Sequence, residues 1–318
     1  MKALSLSILF GLMVSISPAF CPGYAFPPRA PVRTLSPEEQ AVKAKALWDA
    51  AQRCRQEGAW SRAARRYRHL AESFPESPFA PEALFQLGEC LEKLGRRSDA
   101  FRAYQKILDD YPRKGDLDKI LGRQFAIGEL CLNQRRDYLL YTTSPALADA
   151  VDIFRQIVRT ATFSDYSPRA QFNLAFALQE QGKYEEAELE YDLVKGNYPD
   201  SPVMPDALFQ LGLCAREQSL GANYDQLEAR KAVETFREFV RRYPDAPQVP
   251  RARELLNDLV GQEAEKVYDI GRYYERKDCP AGAAIYYRQV VEKFPGSSFA
   301  ARAQERLGGI KPSPEAGE

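Results

Sequence analysis

The sequence predicts an all-α, right-handed solenoid of about six helical hairpins, closed by one further helix. Three observations carry this. The hexapeptide ALFQLG occurs twice, at Ala83–Gly88 and Ala207–Gly212, each time two residues after a proline, Pro81 and Pro205. Around both copies the same spaced set recurs: Leu84, Leu87, Gly88, Ala100, Tyr104, Pro112 and Leu208, Leu211, Gly212, Ala232, Phe236, Pro244. Three residues before the Gly/Ala slot stands an aromatic in every copy: Trp48, Phe85, Phe125, Phe172, Phe209 and Tyr268.

The elements follow in order. Met1-Lys2 and the apolar run Ala3 to Ile16 match an export signal and are short for a membrane span. Small residues allow cleavage after Ala19 or, preferred here, after Ala25. Cys21 is the candidate for lipidation, although bulky Phe20 precedes it and Pro22 follows. Residues 1–25 are thus assigned to the signal and the Pro-rich 26–37 to an extended spacer. The solenoid takes 38–308 and a disordered tail 309–318.

The spaced set is the tetratricopeptide pattern. Four further copies are Ala50, Ala51, Ala63, Tyr67, Pro75; Ile127, Gly128, Ala150, Phe154, with Thr162 in place of proline; Leu174, Ala175, Ala187, Tyr191, Pro199; and Ile270, Gly271, Ala283, Tyr287, Pro295. The repeats run approximately 41–77, 78–115, 116–164, 165–201, 202–247 and 248–297. A small residue in each helix lets two helices approach closely, and the aromatic fills the groove beside them. The last proline stops the second helix, while Pro81, Pro168, Pro205 and Pro250 open first helices, where a missing N–H is harmless.

From slot to second-helix alanine the distance is 12 residues in four repeats, 22 in the third and 20 in the fifth. Both excesses fall between the paired helices, so Asn133–Ser144 and Glu217–Glu228 are expected to project from one edge. Val249–Arg276 holds no proline after Pro250 and predicts a single helix of roughly 27 residues, about 40 Å long. Ser298–Leu307 supplies the closing helix that a solenoid end requires.

The composition argues against chemistry. The chain has 318 residues with 44 Lys and Arg against 44 Asp and Glu, so no basic excess points to nucleic acid. A single histidine, His69, would have to serve every His-dependent constellation, and the six cysteines form no CxxC pair. No enzyme, metal or cofactor is therefore expected, and the partners expected are other proteins. Cys54, Cys90, Cys131 and Cys214 read as buried apolar residues, and Cys279 lies in a turn. Glu185, Glu186, Glu188 and Glu190 form an acidic helix stretch without a calcium loop.

Two surfaces are candidates for partners. The aromatic row, Trp48, Phe85, Phe125, Phe172, Phe209 and Tyr268, is either a concave peptide-binding stripe or the packing between repeats. The cluster Arg53, Arg55, Arg62, Arg65 and Arg66, with Arg68 and His69, either receives carboxylates or is a solvated helix face.

The phrases FPESPFAPEALFQLGECLEKLG and YPDSPVMPDALFQLG, and above all AEKVYDIGRYYERKDCPAGAAIYYRQVVEKFPGSSFAARAQERL, resemble the BamD family of outer-membrane β-barrel assembly factors over roughly Ala41 to Leu307. The resemblance implies a periplasmic scaffold at the inner leaflet of the outer membrane, contacting the barrel-forming assembly protein and nascent barrels. It also implies a lipoprotein with commonly five repeats, from which the site around Cys21 and the sixth repeat depart. A Tol-Pal-associated coordinator uses similar repeats after a coiled coil, and no heptad segment precedes Ala41. An envelope enzyme would need a second domain, for which no stretch is long enough.

Overall fold

A computed structural model describes residues 36–134, 145–220 and 226–310, without the side chain of Gln226. Among them are thirteen helices and no strand. They pair as α1 (Pro37–Gln56) with α2 (Trp60–Ser73), α3 (Ala80–Lys93) with α4 (Arg97–Asp110), α5 (Leu117–Asn133) with α6 (Pro145–Thr160), and α7 (Ser167–Glu180) with α8 (Tyr184–Asn197). Next come α9 (Met204–Ser219) with α10 (Gln226–Arg242), α11 (Val249–Arg276) with α12 (Pro280–Lys293), and α13 (Ser298–Gly309). Each helix packs on its neighbours in the chain, the arrangement of a solenoid.

Local chemistry sets the boundaries. Ser36 accepts from the Glu39 N–H while the Glu39 carboxylate takes the Ser36 N–H, a reciprocal cap on α1. Pro37 is the first residue of that helix, so the spacer ends before it rather than at it; its fixed φ suits a first turn. Pro81, Pro168, Pro205 and Pro250 all lie in first turns. Second helices stop at Phe74, Tyr111, Tyr198 and Phe294, whose ψ of 50–61° leaves the helical region as the following proline demands. In the third repeat, Thr162 stands where the proline would be, and its hydroxyl donates to the freed Val158 carbonyl at 3.1 Å. Within hairpins the chain turns at Gly58, Gly95 and Gly182 with φ of 72–76°, conformations that side chains resist.

The joint inside each hairpin is a ring on a slot. A Cβ placed on Gly128, Gly212 or Gly271 would come 2.7 Å from Phe154, Phe236 or Tyr287, and one on Gly88 would collide with Tyr104. Those four rings, with Tyr67 and Tyr191 at the equivalent positions of the first and fourth repeats, are fully buried. What sits four residues after the slot then matches the ring. Tyr104 donates to Glu92 at 2.5 Å, Tyr191 to Gln179 at 3.0 Å and Tyr287 to Glu275 at 2.7 Å. Phe154 and Phe236, which need no acceptor, have Leu132 and Arg216 there. Tyr67 is the exception: Arg55 stands at that position, and the buried hydroxyl has no hydrogen-bond partner. Burial also pushes its pKa up to about 12. Removing an unsatisfied buried hydroxyl relieves a desolvation cost of about 1–3 kcal/mol. Tyr67→Phe is therefore expected to raise the urea midpoint, whereas Tyr191→Phe lowers it.

Part of each insertion extends the helices. Glu217–Ser219 finish α9 and Gln226–Glu228 begin α10, which corrects the reading of Glu217–Glu228 as projecting loop throughout. Asn133 likewise ends α5. Residues 135–144 and 221–225 lie outside the described residues, as do the signal, Cys21, most of the spacer and the tail beyond Ile310.

One core runs from Ala51 to Leu259, and a second, from Ala264 to Ala303, belongs to α11, α12 and α13. The 28-residue α11 spans both.

Candidate partner-binding surface

The six aromatics of the row lie on first helices, and each meets the slot ring of its own repeat. Centroid distances are 5.6 Å for Trp48–Tyr67, 5.3 Å for Phe85–Tyr104, 5.6 Å for Phe125–Phe154, 5.7 Å for Phe172–Tyr191, 5.9 Å for Phe209–Phe236 and 5.2 Å for Tyr268–Tyr287. Three also touch the beginning of the next element: Trp48 stacks on Phe79, Phe125 meets Tyr166, and Tyr268 meets Phe299. Phe85, Phe125, Phe209 and Tyr268 are buried, and Trp48 and Phe172 are half-buried. Most of this ring area is therefore spent on holding repeats together.

Two rings carry a cation from the following repeat. The Lys119 ammonium sits 4.0 Å from the Phe85 centroid, and the Arg169 guanidinium lies 4.6 Å from that of Phe125. The step from ring to cation is 34 residues in one case and 44 in the other, the ten extra being the insertion of the third repeat. Sequence reading missed both cations because that insertion hides their equivalence. Beside Phe85 a pocket of about 260 Å³ opens over Ile107 and Ile120, with Glu82, Lys114 and Lys119 at its polar rim. It is smaller than the usual small-molecule site of about 300–1,000 Å³ and suits a single side chain.

Charged side chains run alongside the rings. Glu89 on α3 accepts from Arg55 on α1 at 2.9 Å and from Arg123 on α5 at 2.7 Å, so one carboxylate clamps three consecutive hairpins. Arg169 donates to Glu129 at 2.9 Å, and Gln179 to Gln210 at 2.9 Å.

The basic cluster does not form one patch. Arg55 belongs to the Glu89 clamp, while Arg53 is exposed on α1. Arg62, Arg65 and Arg66 are exposed on α2 with His69, whose Nδ1 lies 3.1 Å from the Ser73 hydroxyl. Glu188, one of the acidic helix stretch, is buried and held by Gln218 and Lys231 from the next repeat.

Cys54, Cys90, Cys131 and Cys214 are free and buried, and Cys279 is free and exposed. Burial lifts the Cys90 thiol to about 11 and the Cys214 thiol to about 12, so both stay protonated and inert at neutral pH. Of these five, iodoacetamide is expected to label Cys279 alone in the native protein, and all of them in urea, as peptide mass spectrometry would show. Among the described residues, no group of three His, Cys, Asp or Glu side chains is placed to hold a metal, and no helix is long and apolar enough to cross a membrane.

A family model described as YfiO, outer membrane lipoprotein, matches residues 142–311, and a tetratricopeptide-repeat model matches residues 82–113. The outer membrane protein assembly factor BamD of Caulobacter vibrioides is 29% identical over 184 residues, 56% of this chain and 60% of the relative. BamD of Xylella fastidiosa is 23% identical over 165 residues, 49% of this chain and 56% of the relative. The chain thus spans little more than half the length of the curated relatives it matches. Among solved structures, the tetratricopeptide protein YrrB is 13% identical with a TM-score of 0.33, covering 75% of this chain and 97% of its own. A MamA fragment from Desulfovibrio magneticus RS-1 is 20% identical with a TM-score of 0.33, covering 64% and 98%. With the family match extending over more than half of its residues, from the start of α6 through α13, this chain belongs to the YfiO family of outer membrane lipoproteins.

Proposed function

We propose that this protein is an exported, non-catalytic scaffold on the periplasmic side of the outer membrane that holds polypeptides during the assembly of β-barrel proteins. The observation that carries the reading is the family match over residues 142–311, together with relatives named as BamD assembly factors. The solenoid supports it by offering a continuous flank of first helices. On that flank the open edges of Trp48 and Phe172, the cation-covered Phe85 and Phe125 and the pocket beside Phe85 would receive apolar side chains, while the flanking charges take backbone and polar groups. Phe209 and Tyr268 would contribute mainly rigidity.

Affinity purification of the chain from cross-linked envelopes tests the reading. Recovery of barrel-assembly components is expected; recovery of only Tol-Pal or peptidoglycan-associated proteins would overturn it. The mass of the mature N-terminus decides how the protein is held. A diacylated Cys21 places it on the membrane, and a free Phe26 leaves it in the periplasm.

A further inference from the structure

The outward face of α2 is built differently from those of the helices that follow it. Arg62, Arg65, Arg66 and Arg68 fall within two turns, and Glu72 is the one acid in the helix. On later second helices acids are interspersed with the outer cations and hold several of them, although Arg159, Arg237, Arg241 and Arg288 make no ion pair among the described residues. Arg102 pairs with Asp99, Lys106 with Asp110 at 2.7 Å, Lys183 with Glu186 at 3.7 Å and Arg242 with Glu238 at 3.4 Å. On α2, Arg62 reaches only Glu57, at 3.6 Å and with both side chains largely exposed. Arg66 donates to the Ala50 carbonyl at 2.8 Å, and Arg65 and Arg68 make no ion pair among the described residues. Like charges three and four residues apart repel and weaken a helix, so this face is at its most favourable with an anion against it.

We propose that the α2 face seats on anionic phospholipid headgroups and orients the first hairpin against the membrane. Two features favour a lipid surface over an acidic peptide. Arg62, Arg65 and Arg66 are exposed on the outside of a rod, with half-buried Arg68 at the margin, turned away from Ala63, Tyr67 and Leu70, which face the core, so a planar array of phosphates can meet them together. Guanidinium groups engage phosphate oxygens two at a time, as they do carboxylates, so the chemistry of the group suits either anion and the geometry decides between them. The hairpin is also the described one nearest in sequence to Cys21, the candidate lipidation residue, in a family described as outer membrane lipoproteins. The proposal rests on the membrane-side placement given above and deepens it.

Flotation of the full chain with vesicles tests it. Vesicles of phosphatidylcholine alone report any N-terminal anchor, and the gain on adding phosphatidylglycerol reports the basic face. Replacing Arg62, Arg65 and Arg68 by Gln is expected to reduce that gain about a hundredfold, at about one decade or less per arginine. Binding to neutral vesicles and co-purification of assembly components are expected to be unchanged. Replacing the same three by Lys is expected to retain most of the gain, and the Gln substitution of Arg102, Arg155 and Arg159 to leave it intact. A wild-type chain with no phosphatidylglycerol gain, or a gain that survives the α2 Gln substitutions, would overturn the proposal. So would capture of a polyglutamate peptide through the same arginines without any vesicle gain. Failure of co-purification with the gain intact would instead count against the assembly reading alone.

Discussion

Phe154→Ala is expected to destabilise the protein by about 3–5 kcal/mol, the range for a large aromatic removed from a core that cannot collapse around the gap. Phe154 is fully buried and closes the third hairpin by lying on Gly128 and against Phe125. Phe125 in turn touches Tyr166 at the entrance to the fourth repeat, so the cavity opens at the joint between two hairpins. In a solenoid such a joint carries cooperativity, because each hairpin is stable only through its neighbours. Urea denaturation followed by circular dichroism would show a lower midpoint and a broadened transition. The reverse change, Gly128→Ala, is expected to cost about 1–3 kcal/mol through overpacking. Its cost should fall toward the lower end, since Ala51 and Ala175 occupy the same slot in the first and fourth repeats. A loss below about 1 kcal/mol for Phe154→Ala would mean that the ring is not the closure of the hairpin.

Gly261→Pro is expected to cost about 3 kcal/mol or more and to divide unfolding into two steps. Gly261 lies inside α11 between Leu259, the last residue of the large core, and Ala264, the first of the small one. The small core contains Tyr268, Ala283, Tyr287, Val290 and Phe294, and α11 is its main mechanical link to the other repeats. A proline there removes a backbone hydrogen bond and bends the helix at the junction. Nothing lies within 4 Å of a Cβ at this position, so Gly261→Ala is the matched control. It is expected to stabilise by about 0.5–1 kcal/mol through helix propensity alone. Calorimetry should show one transition for the alanine variant and two for the proline variant; a single unshifted transition for the proline variant would contradict the division into two cores.

Much of this architecture was legible in the sequence because the residues that define it act locally. A proline ends a helix wherever it falls, and a glycine facing an aromatic at fixed spacing reports two helices in contact. The 28-residue α11 could be read from the lack of prolines between Pro250 and Pro280. The direction in which a side chain is used was harder to read. Trp48, Phe85, Phe125, Phe172, Phe209 and Tyr268 share a register, but register alone does not say whether a ring meets solvent or its own hairpin. The arginines of the first repeat looked like one cluster because they are close in sequence. Helix geometry sends Arg55 to Glu89 on α3 and leaves Arg65 outward on α2. The match between tyrosine hydroxyls and acceptors at Glu92, Gln179 and Glu275 emerges only when paired helices are placed side by side.

Depletion of the protein from cells, followed by quantifying folded barrel proteins in the outer membrane by their heat-modifiable migration, tests the functional account most directly. The folded fraction is expected to fall in step with the scaffold, with unfolded barrel precursors accumulating in the periplasm. Normal levels of folded barrels after complete depletion would contradict a role in barrel assembly, whatever the solenoid is found to bind.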